Sequence, residues 1–216
     1  MPCCGRKKGV DDLFNKPKSF INSLDKGCSK KFIETRSIIK YHPKFSKRFK
    51  ECSLSALSLY TGNMYSKEFK NTIRNNLDKK FDLLIMSAGY GFVRPDEVIE
   101  SYNIEMRETY SYWKKCLPNI LMSYLKSKDI TEVEGVFSAS GAYIKVARAI
   151  QNYLKLNSSV QFRIISLDYD RNADKENVKN EINSIRVPKL QSKLLLKLFE
   201  GKTPDFIEGV PVKIET

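Results

Sequence analysis

Three short apolar runs constrain the fold of this chain most. Residues 81–86, 133–137 and 160–167 are rich in Leu, Ile, Val and Phe, and each stops at small or polar residues. Runs of this length between turn formers read as buried strands. Stretches with helical spacing lie between them. Phe69, Ile73 and Leu77 fall at i, i+4 and i+8 within 66–80, and Trp113, Leu117 and Tyr124 share a face within 109–126. Tyr143, Val146, Ala147, Ile150 and Leu154 do the same after the second run. Pro118 predicts a kink or a break in the longest of these helices. Strand–loop–helix units predict an α/β protein, a single compact domain over 1–216 with a mainly parallel or mixed central sheet flanked by helices. Residues 1–50 read as a basic N-terminal region of short, partly exposed structure. Residues 97–102 read as a short helix, and 171–202 as a helical region followed by an extended tail.

Several function classes are set aside by composition. At 216 residues the chain can bury a substantial core. No apolar run approaches 18 residues, so no membrane span or membrane partner is expected. The start of the chain lacks the apolar core of a secretory signal. Five cysteines (Cys3, Cys4, Cys28, Cys52 and Cys116) contain no C-x-x-C pair, which predicts a reduced, cytoplasmic protein. The single histidine, His42, leaves no histidine-rich zinc site and no H-E-x-x-H motif. A Ser-His-Asp triad would have to use His42, and no G-x-S-x-G elbow accompanies it. No metal and no cofactor is expected. The net charge is +13, from 38 Lys and Arg against 25 Asp and Glu. A surplus of this size favours a polyanion such as nucleic acid, or belongs to a solvated lysine-rich surface.

Three loops carry residues suited to chemistry, and in a parallel sheet they would meet at one edge. In the first, Gly5 is followed by Arg6, Lys7 and Lys8, a setting that holds a phosphate or activates the Cys4 thiol. A solvated basic terminus with an inert thiol fits the same residues. The second offers Ser87, Tyr90 and Arg94, with Gly89 and Gly91 allowing close backbone approach. Arg94 either grips a phosphate or carboxylate, or pairs with Asp96 or Glu97. The third places Ser138 and Ser140 at a helix start, where they cap the helix or help bind an anion. Tyr143 and Lys145 follow on its first turn; Lys145 is a base or Schiff-base amine if buried, and a surface lysine otherwise. Glu105 is a candidate acid or base.

Taken together, Tyr60-Thr61-Gly62, Ser87-Ala88-Gly89-Tyr90-Gly91, Arg94-Pro95, Tyr102-x-x-Glu105-Met106 and Ser140-x-x-Tyr143-x-Lys145 resemble the YaaA family of peroxide-stress proteins in order and rough spacing. The resemblance has departures: Asp96 follows Pro95 at once, Gly141-Ala142 stands where that family has an acidic pair, and the C-terminal third is shorter, with Phe162–Ser166 matching only loosely. It implies a YaaA-like domain, DNA binding and a role in DNA damage or oxidative stress response. It adds Thr61, Gly62 and Tyr102 to the ligand-binding candidates. The sequence expectation is therefore a nucleic-acid-binding protein, with a protein partner as a further option. The alternative is an enzyme acting on a nucleotide or nucleobase, for example at an N-glycosidic bond. In that version Arg6, Lys7 and Arg94 hold phosphate, and Glu105, Tyr143 and Lys145 supply the chemistry.

Overall fold

In the computed structural model, residues 14, 17–45, 53–168 and 186–216 are described. A 3-10 turn, Phe20–Ser23, leads into α1, Lys26–Lys40. Asp25 starts this helix by accepting a hydrogen bond from the Cys28 N–H at 2.8 Å, and Lys40 sits in its last turn, where a cation suits the helix dipole. One continuous amphipathic helix thus replaces the short structure expected after residue 30. Then come β1, Ser53–Ser55, the single turn α2, Ala56–Leu59, and α3, Lys67–Asn76, capped by Ser66.

The apolar run at 81–86 forms β2, Ile85–Ser87, which turns back at once into β3, Gly91–Val93. The two are antiparallel, with Met86 opposite Phe92. β4, Val98–Glu100, pairs antiparallel with β1. That strand corrects the short helix expected at 97–102: Val98 is exposed and Ile99 buried, the two-residue alternation of a half-covered strand. α4, Met106–Ser127, runs through Pro118 without breaking, and its start is closed by a reciprocal Glu105–Glu108 capping box.

β5, Glu132–Phe137, α5, Ala142–Asn157, and β6, Gln161–Leu167, form a βαβ unit with parallel strands. After α6, Arg186–Phe199, a hairpin of β7, Phe206–Ile207, and β8, Val210–Glu215, adds antiparallel partners. The fold is a single mixed α/β fold, but the mainly parallel central sheet is corrected. The largest sheet has four strands, β5-β6-β8-β7, and β5–β6 is its one parallel pair. The physical cause is the three-residue turn after Ser87, too short for the crossover a parallel neighbour needs. Of the helical region expected at 171–202, residues 171–185 lie outside the described residues.

α1 lies antiparallel along α4. The Asp25 N–H donates to Ser123 at one end, and Lys44 pairs with Glu108 at the other. Between them an aromatic cluster fills the core: Phe20 meets Phe32 edge-on at 5.5 Å and Tyr124 at 4.8 Å, and Phe32 lies 5.9 Å from Trp113. All of these rings are essentially buried, each contributing about 1.5–3 kcal/mol of transfer free energy. No helix among the described residues is long and apolar enough to cross a membrane.

Candidate functional site

Residues from Ile85 to Glu97 are buried without interruption, so the loop expected to meet a ligand meets the protein itself. Arg36 reaches across from α1 and donates to the carbonyls of Tyr90 at 2.8 Å and Phe92 at 2.7 Å. Its remaining nitrogen pairs with Glu97 at 2.8 Å, and Glu97 also accepts from the backbone N–H of Phe20. Trp113 and Thr109 both donate to the Ala88 carbonyl, at 2.7 and 3.0 Å. The carbonyls of Ala88, Tyr90 and Phe92 are thus each held by a side chain from α1 or α4.

Arg94 is 2% exposed and sits among three carboxylates. Its Nε donates to Asp96 at 2.9 Å, Nη1 to Asp82 at 3.3 Å, and Nη2 to both oxygens of Asp78 at 3.0 and 2.8 Å. Burial works against the charged guanidinium, yet its hydrogen bonds to Asp96 and Asp78 outweigh it and hold the pKa above its ordinary value. Asp78 is held below the usual carboxylate range: burial raises it, but Lys18 and Arg94 together lower it further. Tyr124 donates to Asp82 at 2.5 Å; burial first and that carboxylate second push the phenol up. The pairing of Arg94 with Asp96 is the geometry found, extended to two acids that the sequence reading did not connect.

A second cluster joins part of the predicted set. Ser87 Oγ lies 2.7 Å from the Tyr102 hydroxyl and accepts from the Tyr90 N–H at 3.1 Å. The Tyr102 hydroxyl in turn lies 3.3 Å from that of Tyr60. Phe45 stacks on Tyr102 at 5.9 Å. Burial, with the Glu100 carboxylate adding to it, pushes the Tyr90 phenol up to about 12, so it stays neutral, and its oxygen accepts from the Glu100 N–H at 3.3 Å. The chain of hydroxyls can pass hydrogen-bond polarity from Ser87 to Tyr60, beside the half-buried Thr61 and Gly62.

The other candidates stand apart from this cluster. Glu105 is exposed at the start of α4 and pairs with Arg107 at 2.9 Å. Ser138 accepts from Gln191 of α6 at 3.3 Å; Ser140 is exposed, Tyr143 half-buried and Lys145 exposed on α5. Arg148 is occupied by Glu215 through two hydrogen bonds, at 2.8 and 2.7 Å. Cys4, Arg6 and Lys7 lie outside the described residues. Among the described residues, no group of three His, Cys, Asp or Glu side chains is placed to hold a metal ion.

A different surface gathers free charge. Asn119 of α4 touches both neighbouring helices: its carbonyl accepts from the Cys28 thiol of α1 at 3.8 Å, and its side chain accepts from Tyr153 of α5 at 2.5 Å. The stripe of α4 through Asn119 therefore faces out of a three-helix layer. Tyr112, Lys115 and Lys126 lie on that stripe, at spacings of three, four and seven residues from one to the next with Asn119 included, and all three are exposed. Lys31 of α1 flanks it near Cys116, and Lys145 of α5 is exposed two turns before Tyr153. Lys31, Lys115, Lys126 and Lys145 form no ion pair with any described residue. Of these, Lys145 is named by the sequence reading and Lys31 falls in its basic 1–50 region; the helical spacing of Tyr112, Lys115 and Lys126 was the signal for the rest.

No curated protein and no solved structure matches the chain. The resemblance to the YaaA family drawn on Tyr60 to Lys145 is overturned by a match over those same residues to a different family, DUF6884. That match spans residues 46–165, more than half of the sequence, so the chain belongs to DUF6884, a family of unknown function.

Proposed function

We propose that the protein binds nucleic acid, duplex DNA in the first instance, across the outer face of α1, α4 and α5. The observation that carries this reading is the set of lysines without an ion pair among the described residues, Lys31, Lys115, Lys126 and Lys145, near exposed Tyr112 on a chain of net charge +13. Unpaired cations on a rigid helical layer neutralise phosphates and release counterions, which gives affinity without sequence selectivity. Tyr112 is 37% exposed, enough of a ring to stack on a sugar or an unpaired base. A cytoplasmic location is part of the proposal, supported by the free thiols of Cys28 and Cys116, which burial holds above the ordinary cysteine pKa and so keeps unreactive.

The test is fluorescence anisotropy with a 20-base-pair duplex over about 50–200 mM salt. A triple variant, Lys31→Ala, Lys115→Ala and Lys126→Ala, should reduce the slope of log K against log salt by about 3, near 0.9 per lost phosphate contact. Folding should change by less than about 0.5 kcal/mol per exposed site. Affinity independent of salt in the wild type, or an unchanged slope in the triple variant, would overturn the reading.

A further inference from the structure

A small apolar cavity opens onto a charged hollow beside the end of α6. The cavity measures about 150 Å³ and is walled by Leu83, Met86, Leu121, Val133 and Phe162. The hollow measures about 560 Å³ and shares Leu83, Ile130, Glu132 and Leu195 with the cavity, so the two are joined. A dry cavity of about 150 Å³ lined by Leu, Ile and Phe takes a guest the size of benzene. That is too small for a stretch of backbone and the right size for one apolar side chain.

The hollow decides what is attached to that side chain. Five charged residues line it: Lys80, Asp82, Glu132, Glu134 and Arg163. Three are matched within the protein: Asp82 accepts from Arg94 at 3.3 Å and from Tyr124 at 2.5 Å, and Glu134 pairs with Arg163. Lys80 and Glu132 are exposed, and neither forms an ion pair with a described residue. One cation and one anion therefore remain open to a ligand. α6 adds to the negative side. Its last turn closes with the Lys202 N–H on the Lys197 carbonyl at 3.0 Å and the Gly201 N–H on that of Leu198 at 2.9 Å, while the Phe199 carbonyl accepts from no described residue. The negative end of the helix dipole thus lies at the hollow, which Leu198, Phe199 and Gly201 line.

We propose that this space binds a free α-amino acid with an apolar side chain. The side chain fills the cavity, Lys80 takes the carboxylate, and Glu132 with the end of α6 takes the ammonium. An apolar body with a few polar groups around it is the ordinary composition of a small-molecule site, and about 300–1,000 Å³ is its ordinary size. A terminal residue of a polypeptide carries only one of the two charges, so the free amino acid is the occupant that answers both. This inference is independent of the basic helical face.

The probes are L-phenylalanine and L-leucine, titrated by calorimetry into the full chain beside glycine, L-phenylalaninamide and N-acetyl-L-phenylalanine. At least one of the first two should bind saturably with a Kd of about 1 mM or below, and the amide, the N-acetyl form and glycine should each bind at least about tenfold more weakly. Lys80→Gln should erase the preference over the amide, and Glu132→Gln the preference over the N-acetyl form; both positions are exposed, so folding is kept. No saturable binding of either amino acid up to about 10 mM overturns the proposal. Equal binding of the amide by the wild type makes a peptide N-terminus the occupant and overturns the free amino acid. Unchanged preferences in both variants reduce the space to a general apolar cavity and overturn it as well.

Discussion

Replacing Arg94 by leucine should lower stability at neutral pH by about 3–5 kcal/mol, the cost of leaving buried charge uncompensated. Asp96 is 4% exposed and has Arg94 as its ion-pair partner at 2.9 Å. Asp78 keeps Lys18 at 2.7 Å, and Asp82 keeps the Tyr124 hydroxyl, so the loss falls mainly on Asp96. A domain with about 5–15 kcal/mol in total would lose a large part of its margin. Lysine at this position keeps the charge, but a single ammonium cannot span three carboxylates as the planar guanidinium does, so Arg94→Lys should fall between the two. The pH dependence separates this mechanism from simple loss of packing. The folded pKa of Asp78 lies below its ordinary 3.8, so its contribution is fully present above that value and is lost as pH falls through the folded pKa. Without Arg94, only Lys18 is left to oppose the burial that raises the Asp78 pKa. The gap between wild type and Arg94→Leu should thus be widest near pH 7 and shrink toward pH 3. Urea midpoints at the two pH values measure it; equal midpoints at pH 7 would show that the cluster adds nothing to stability.

The Arg94 cluster also marks where a sequence stops being readable. The strands at 133–137 and 160–167 and the helices around Trp113 and Ile150 followed from apolar spacing, because burial on one face is a local property of the chain. The pairing of β2 with β3 instead of a parallel neighbour depended on whether three residues after Ser87 made a turn or began a crossover, and both begin with the same small residues. Arg94 with Asp96 was legible as a near neighbour. Asp78, Asp82 and Arg36 were not, since they arrive from 12 to 61 positions away and nothing in their own surroundings marks them as partners of this loop. The lysines of the α1–α4–α5 face show the opposite case. Their spacing was in the sequence, but which stripe of α4 faces outward is decided by the helices that cover the others.

Gly91→Ala should destabilise the fold by about 2–5 kcal/mol, because two separate costs fall on one atom. Gly91 has φ +69°, where an alanine costs about 1–2 kcal/mol. A Cβ there would also lie 2.8 Å from the ring edges of both Phe32 and Trp113. Those rings are fully buried, and Trp113 is further fixed by its hydrogen bond to Ala88. Neither can move aside freely, and overpacking of this kind adds about 1–3 kcal/mol. Gly201→Ala is the matching control: its φ is +74°, but nothing lies within 4 Å of its would-be Cβ, so only the conformational cost of about 1–2 kcal/mol applies. The difference between the two variants, read from denaturant midpoints, isolates the contact with the rings. A clear difference means that the glycine in this loop serves the approach of the protein's own aromatic core. If the two variants lose the same amount, Phe32 and Trp113 yield readily, and the loop holds space that a ligand could enter.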